Sequence, residues 1–330
     1  MTALEPRPLL VLKIDVDTYR GTREGVPALV RILTRHAAGA TFLFSLGPDH
    51  TGRAMRRALR PGFFKKVSRT SVVEHYGIKT LMYGVLLPGP DIGVAAAAEM
   101  RAVRDAGFEC GIHTWDHVSW QDNVRRRDAG WTARLLQKSA ARYAQVFGTA
   151  PHTHGAAGWQ MNAHAFARHD AAGYRYASDG RALLRDDGSL ADPQAGPYRL
   201  QGMRHIQMPT TLPTLDELLG RTIDGVTLGV DNIADHLLGL TREPPPGTLT
   251  RRDHVYTLHA ELEGQKLAPI FEQLLTGWKA QGYRLASMAD YYEKIKALPL
   301  PEYPVQWGEV PGRSGELIVL DTGTQAVRQQ

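Results

Sequence analysis

Hydrophobic and polar positions along the chain follow two alternating rhythms. Leu9, Leu10, Val11, Leu12 and Ile14 make a run apolar on both faces, which predicts a buried strand over 8–16 that ends on Asp15-Val16-Asp17. Gly21 and Gly25 punctuate the next loop, and Pro27 suits the first turn of a helix running to His36. A second apolar strand over 40–46 stops at Gly47-Pro48. After an interruption over about 49–92, the alternation resumes with an Ala-rich helix over 94–105 closed by Gly107, and a strand over 108–112 ending at His113. Helices are predicted over 132–147, 163–169, 267–281 and 288–297, and strands over 151–157, 174–178, 255–259 and 283–286. Strand and helix alternating this many times predict a parallel α/β sheet, most simply a barrel. Periodicity is weak after Pro299, so the tail over 299–330 is expected to wrap the surface of a domain spanning 1–298.

Composition narrows the class. The 330 residues are 43% apolar and 22% charged, a globular balance that excludes a disordered chain, a collagen-like repeat or a coiled coil. No apolar stretch is long enough for a membrane span, and residues 1–8 lack the pattern of a secretory signal. The single cysteine, Cys110, excludes an internal disulfide and a cysteine zinc cluster, which makes the cytoplasm the expected compartment. Net charge is +5, concentrated in one block: Arg53, Arg56, Arg57, Arg60, Lys65, Lys66 and Arg69 fall between Gly52 and Thr70 with no carboxylate. Such a block suggests a polyanionic partner.

Three motifs sit at predicted strand ends, where parallel α/β folds place their sites. Asp15 and Asp17 are two apart on an extended strand, so both carboxylates reach one side. His113 and His117, in His113-Thr114-Trp115-Asp116-His117, are spaced to share one face of a helical turn and grip one metal. Two imidazoles and one carboxylate form a common catalytic metal set with a position open for water. His259, closing Tyr256-Thr257-Leu258-His259, could protonate a leaving amine, although a histidine there is by itself more often a hydrogen-bonded rim residue. His36, His50, His75, His164, His169, His205, His236 and His254 have no comparable setting and are read as structural.

An aspartate pair ending the first strand, an H-[ST]-x-x-H motif after a middle strand and L-x-H on a late strand resemble the polysaccharide deacetylase family, carbohydrate esterase family four, with its NodB-homology fold. The resemblance implies a distorted (β/α)7 barrel with a basic, partly apolar insertion after the second strand. It implies Asp15 as general base, Asp17, His113 and His117 as ligands of one divalent metal ion (Zn, Co, Ni or Mn), and His259 as general acid. Lys13-Ile14-Asp15-Val16-Asp17-Thr18, Gly21-Thr22-Arg23-Glu24-Gly25-Val26-Pro27, the run 40–49, His154-Gly155-Ala156-Ala157-Gly158-Trp159-Gln160, Tyr176-Ala177-Ser178-Asp179 and Thr257-Leu258-His259-Ala260-Glu261 narrow it. These resemble the branch that removes a formyl group from an amino sugar carried on a polyprenyl phosphate, in lipid A modification and polymyxin resistance. One departure stands out. Many members carry an Arg-Pro pair in the third motif, its arginine orienting the base; here the corresponding stretch, His154 to Gly158, has no arginine. By the same resemblance Trp159 would wall the acyl pocket and Asp179 would orient His259, although a core tryptophan and a turn aspartate are plain alternatives.

The interruption over 49–92 mixes its cations with Met55, Leu59, Phe63, Phe64 and Val67, and continues into Leu81, Met82, Tyr83, Val85, Leu86 and Leu87. Pro61-Gly62 predicts two short helices there. A cationic, greasy surface suits an anionic inner-membrane leaflet, with Arg56, Arg57 and Lys65 near the substrate phosphate. No nucleic-acid-binding module accompanies these residues, and no obligate protein partner is implied. A peripheral protein at the cytoplasmic face of the inner membrane is therefore expected, acting on a lipid-linked sugar. Two other readings fit the same motifs: an N-deacetylase of soluble or cell-wall amino sugars, and a non-catalytic sugar- or lipid-binding protein on the same fold.

Overall fold

The computed structural model describes residues 7–58, 78–242 and 251–322. Strands β1 (Leu9–Val16), β2 (Thr41–Ser45), β3 (Glu109–Thr114), β4 (Thr153–His154), β5 (Tyr176–Ala177), β6 (Tyr198–Arg199) and β7 (Ile206–Gln207) come first along the chain. A small hairpin, β8 (Thr222–Ile223) and β9 (Val226–Thr227), precedes β10 (His254–His259), β11 (Arg284–Ala286), β12 (Val305–Gly308) and β13 (Leu317–Leu320). The main sheet runs β10-β1-β2-β3-β4-β5-β7-β6, with β11 also pairing β1. All its pairs are parallel except β6 with β7. β1 is buried at every position and β2 likewise, as an apolar run covered on both faces requires.

The sheet curls into a half-barrel, and its open side is bridged by the segment after β7. The Thr211 N–H donates to the Val255 carbonyl at 3.0 Å, and the hydroxyls of Thr210 and Thr257 share a hydrogen bond of 2.7 Å. The expected barrel architecture is thus present in distorted form. Helices cover the outside where their caps predict them. Val26–Arg35 carries Pro27 in its first turn. Ala129–Phe147 is capped by Asp128, which accepts from Trp131 N–H at 2.8 Å, and ends on Gly148 at φ 76. Met288–Ile295 opens with a capping box of Ser287 and Asp290.

Two expectations are corrected. The helix over 94–105 is split into Ile92–Ala95 and Ala97–Asp105 by Ala96, whose φ of −124° leaves the helical region. The segment after Pro299 does not merely wrap the surface. β12 and β13 form an antiparallel hairpin, and β13, Leu317-Ile318-Val319-Leu320, is buried at all its positions. It docks on the backbone of Arg181, whose N–H donates to the Ile318 carbonyl and whose carbonyl accepts from Leu320 N–H, each at 2.9 Å. A short apolar run has no period to read, so its burial emerges only from docking. In the insertion, the described part is a helix at Thr51–Ala58 and another at Ile78–Met82; the break at Pro61-Gly62 and Lys65 lie outside the described residues, as do the side chains of Arg56 and Arg57. Among the described residues no helix is long and apolar enough to cross a membrane.

Candidate active site and metal centre

The carboxyl ends of β1, β3, β4 and β10 converge at one end of the half-barrel. Register puts Asp15 beside His259 across the β1–β10 pair and Ile112 beside His154 across β3–β4. His113 therefore leaves β3 facing the Asp15-Val16-Asp17 turn. His113 and His117 do not share a helix, contrary to the reading from their spacing. His113 is the penultimate residue of β3, while His117 opens the helix His117–Asn123. Asp116 caps that helix by accepting from Ser119 N–H at 3.0 Å, and its other oxygen meets His50 Nδ1 at 2.7 Å. A strand-to-helix turn thus performs the gathering, and His50 helps fix it.

The three expected ligands are brought together. Asp17 Oδ1 is 3.1 Å from His113 Nε2, and Asp17 Oδ2 is 3.4 Å from His117 Nε2. One donor atom from each of the three lies within 4.8 Å of the others. Ligands about 2.0–2.1 Å from a tetrahedral ion stand roughly 3.3 Å apart, so these separations fit a single cation. The tautomer fits as well: His113 Nδ1 donates to the Gly155 carbonyl at 2.7 Å, leaving the Nε2 lone pair toward Asp17. Asp17 Oδ1 is buried with no hydrogen-bond donor, as a coordinating oxygen would be. Burial pushes the Asp17 carboxyl up, but His117 and His113 pull it down harder, so it is ionised well below the usual carboxylate range.

Asp15 stands beside this set. Its Oδ2 is paired with Lys13 Nζ at 2.7 Å, both side chains buried, while its Oδ1 is 3.6 Å from His113 Nδ1 and has no hydrogen-bond partner. His259 reaches the rim from β10, its N–H donating to Glu263 Oε2 at 2.9 Å. Its Nδ1 faces Asp216 Oδ1 at 3.8 Å.

The sequence reading missed the supporting carboxylates. Glu261 Oε1 accepts from the N–H of Asp17 at 3.1 Å and from the N–H and hydroxyl of Thr18, each at 2.8 Å, clamping the turn that carries Asp17. Burial and the facing Asp17 carboxylate push Glu261 up to about 8. Burial likewise lifts Glu263 to about 7. Asp216 is held down to about 2: burial opposes ionisation, and Arg313 and His259 outweigh it. Arg313 lies in the turn between β12 and β13, bonds Glu217 through Nε at 2.7 Å and approaches Asp216 at 3.4 Å. Nothing local in the sequence marks Arg313. Lys13 did carry a signal, because a charged residue inside a strand buried on both faces must find a partner.

Trp159 is buried rather than open to the site mouth. Its Nε1–H donates to Thr210 at 3.3 Å, and Lys13, Arg181 and Arg313 lie within 5.1, 4.6 and 4.6 Å of its ring. Gly158 and Trp159 both adopt left-handed backbone, φ 60 and 52. For a bulky residue that conformation is strained, and the buried ring holds it there. A side chain at Gly158 would strike Gln121.

Asp179 does not face His259. With His154 and His169 it forms a second group of donors, wholly buried between β4, β5 and the helix Ala163–Ala171. Here the separations depart from a metal's in both directions. His154 Nδ1 is 2.6 Å from Asp179 Oδ1, a hydrogen-bond length, and His169 Nδ1 is 4.0 Å from Oδ2. Gln207 also donates to Asp179, at 3.0 Å. Burial first, then the neighbouring His154, hold His169 well below its ordinary value, so it is neutral. The group is a buried polar clasp between β4 and β5.

Comparison with known proteins follows the same lines. Over 309 residues the chain is 35% identical to a protein of Shewanella sediminis named as a 4-deoxy-4-formamido-L-arabinose-phosphoundecaprenol deformylase, spanning 93% of this chain and 92% of that one. A protein of the same name from Wigglesworthia glossinidia brevipalpis is 27% identical over 299 residues, covering 89% and 96% respectively. Among solved structures, a polysaccharide deacetylase fold from Mycobacterium smegmatis matches with a TM-score of 0.58 at 15% identity, over 94% of this chain and 98% of that chain, a likeness of fold. No protein-family profile matches the chain.

Proposed function

The chain belongs to the 4-deoxy-4-formamido-L-arabinose-phosphoundecaprenol deformylases, and on that premise we propose that it hydrolyses the formamide of this sugar on undecaprenyl phosphate, releasing formate and the free amine. The product is the aminoarabinose donor of lipid A modification. The observation that carries the reading is the convergence of Asp17, His113 and His117 with the unpartnered Asp15 Oδ1 alongside.

Asp17, His113 and His117 would hold one divalent ion, of the Zn, Co, Ni or Mn kind. When bound, it supplies Lewis-acid polarisation of the formyl oxygen and a more acidic water. The chain's own groups do the rest. Asp15 Oδ1 takes the proton of the attacking water as the new C–O bond forms. His259 gives a proton from Nε2 to the sugar nitrogen as the C–N bond breaks, with Nδ1 turned toward Asp216. Asp216 is ionised, and its carboxylate faces that ring nitrogen. Solvent then carries the water's proton from Asp15 back to His259, which closes the cycle.

The lipid carrier explains the insertion. Val85, Leu86 and Leu87 project from the turn after Ile78–Met82, with Leu86 74% exposed. Arg53 sits beside them, its Nε–H bonded to the Gly84 carbonyl at 3.1 Å. Apolar tips next to cations suit the headgroup boundary of an anionic leaflet, here the cytoplasmic face of the inner membrane. No nucleic acid or obligate protein partner enters this reading.

The test is formate release from the formamidosugar polyprenyl phosphate, with N-acetyl sugar oligomers in parallel. Formate release with little acetate is the expected result; equal turnover of the oligomers would favour a general N-deacetylase, and no turnover of either a binding protein.

A further inference from the structure

A buried lysine beside a general base calls for its own explanation. Lys13 and Asp15 are two apart on β1, so both side chains leave the strand on one face. Lys13 is wholly buried, and among the described residues its Nζ–H has one acceptor, Asp15 Oδ2 at 2.7 Å. The Trp159 ring lies 5.1 Å from the same Nζ. As a device for stability the pair is poor, because two charges must leave water and apolar residues would fill the same space at less cost.

The consequence for Asp15 is geometric. With Oδ2 tied to Lys13, the carboxylate cannot rotate without breaking that contact. Oδ1 is then the oxygen turned toward His113, and it has no donor of its own. The His113 Nδ1–H, 3.6 Å from Oδ1, is already spent on the Gly155 carbonyl. One oxygen is anchored and the other keeps its lone pair for a proton.

The third motif explains why the anchor comes from β1. A Cβ at Gly155 would lie 2.4 Å from Leu43 Cδ1 and 2.7 Å from Lys13 Cε. No side chain fits at Gly155, and the lysine stem occupies the space a side chain from that strand end would need. The cation that the resemblance places in the third motif is absent there, and a cation two residues before the base reaches the same carboxylate from the other direction.

We propose that Lys13 is the positioning residue of the catalytic base, pinning Asp15 Oδ2 so that Oδ1 faces the attacking water. The proposal rests on the hydrolase reading above, in that Asp15 must be the base. Its test compares wild type with Lys13→Met, Lys13→Gln, Lys13→Arg and the double variant Lys13→Met/Asp15→Asn, measuring kcat and KM for acyl release, bound metal per chain, and melting temperature. Misplacing a reacting group by about 1 Å costs on the order of 100-fold, so Lys13→Met and Lys13→Gln should lose about that in kcat with KM changed less than about threefold and metal content unchanged. Lys13→Arg keeps a donor and a charge, and should recover to within about tenfold of wild type. The double variant should fold and bind metal, because no charge is left buried alone. A neutral variant with kcat within about threefold of wild type overturns the proposal, as does a folded, metal-loaded Lys13→Arg as slow as Lys13→Met. Unfolding of both neutral variants would assign the lysine to charge compensation and overturn it too. If wild type proves to release acetate from an acetylated sugar, the substrate reading falls, while the Lys13 comparison runs unchanged on that reaction.

Discussion

The Asp216 carboxylate stands 3.8 Å from Nδ1 of His259, and on its far side Arg313 approaches it at 3.4 Å. His259, the proposed general acid on β10, is thereby backed by a carboxylate from the Thr214–Leu218 turn and by a cation from the C-terminal hairpin. Neither partner adjoins it in sequence.

Asp216→Asn should keep fold and metal but lower kcat by up to roughly 10⁴-fold, the loss found when the carboxylate that orients a catalytic imidazole is neutralised in comparable relays. Arg313→Ala, one contact further out, should cost about tenfold. Steady-state formate release measures both; an Asp216→Asn enzyme within twofold of wild type would detach Asp216 from the acid.

His113→Ala should reduce bound metal from one ion per chain to none by elemental analysis, and abolish turnover. Asp15→Asn should keep the ion and lose about 10²- to 10⁴-fold in kcat, the range ascribed to a positioned acid or base. Metal loss in Asp15→Asn would mean that the two aspartates do not divide the work as described.

Asp179 is expected to contribute to stability against acid. Burial would raise its carboxyl, but His154 above all, then His169 and Gln207, bring it down to about 2. A depressed carboxyl contributes stability that is present above its unfolded value of 3.8 and is lost as pH falls through about 2. The contribution is about 2 kcal/mol for this shift. Asp179→Asn should therefore unfold more easily at neutral pH and lose less stability between pH 4 and 2 than wild type, as followed by circular dichroism. Parallel acid limbs for the two proteins would remove Asp179 from this role.

Leu86→Glu should weaken binding to anionic vesicles at low salt, read by co-sedimentation, and raise KM for the lipid-linked sugar while leaving metal content and melting temperature unchanged. The side chain is 74% exposed, so nothing in the core depends on it. Vesicle binding equal to wild type would place the docking surface elsewhere.

Much of this architecture is legible in the chain because local chemistry specifies it. Leu9 to Ile14 reads as a doubly covered strand, Pro27 and Gly148 mark helix ends, and Asp15, Asp17, His113 and His259 each close an apolar run, which is where parallel sheets gather their chemistry. The split at Ala96 and the strand-to-helix turn between His113 and His117 are less legible, since four-residue spacing is the same whether the backbone is helical or changes direction between the two. The hairpin carrying Arg313 has no readable period, and its strand Leu317–Leu320 becomes core only by pairing with Arg181.

By itself the sequence singled out the side chains proposed here to carry the chemistry, because residue type and strand-end position follow from local pattern. Only the tertiary structure decided which of them support one another. Asp216 rather than Asp179 meets His259, Asp179 is spent on His154, and Lys13 reaches Asp15 where the third motif offers Gly155. The reason is that a buried charge takes whatever partner the curled sheet brings within about 3–4 Å, and that distance is set by strand register and docking across the whole chain rather than by any neighbour in sequence.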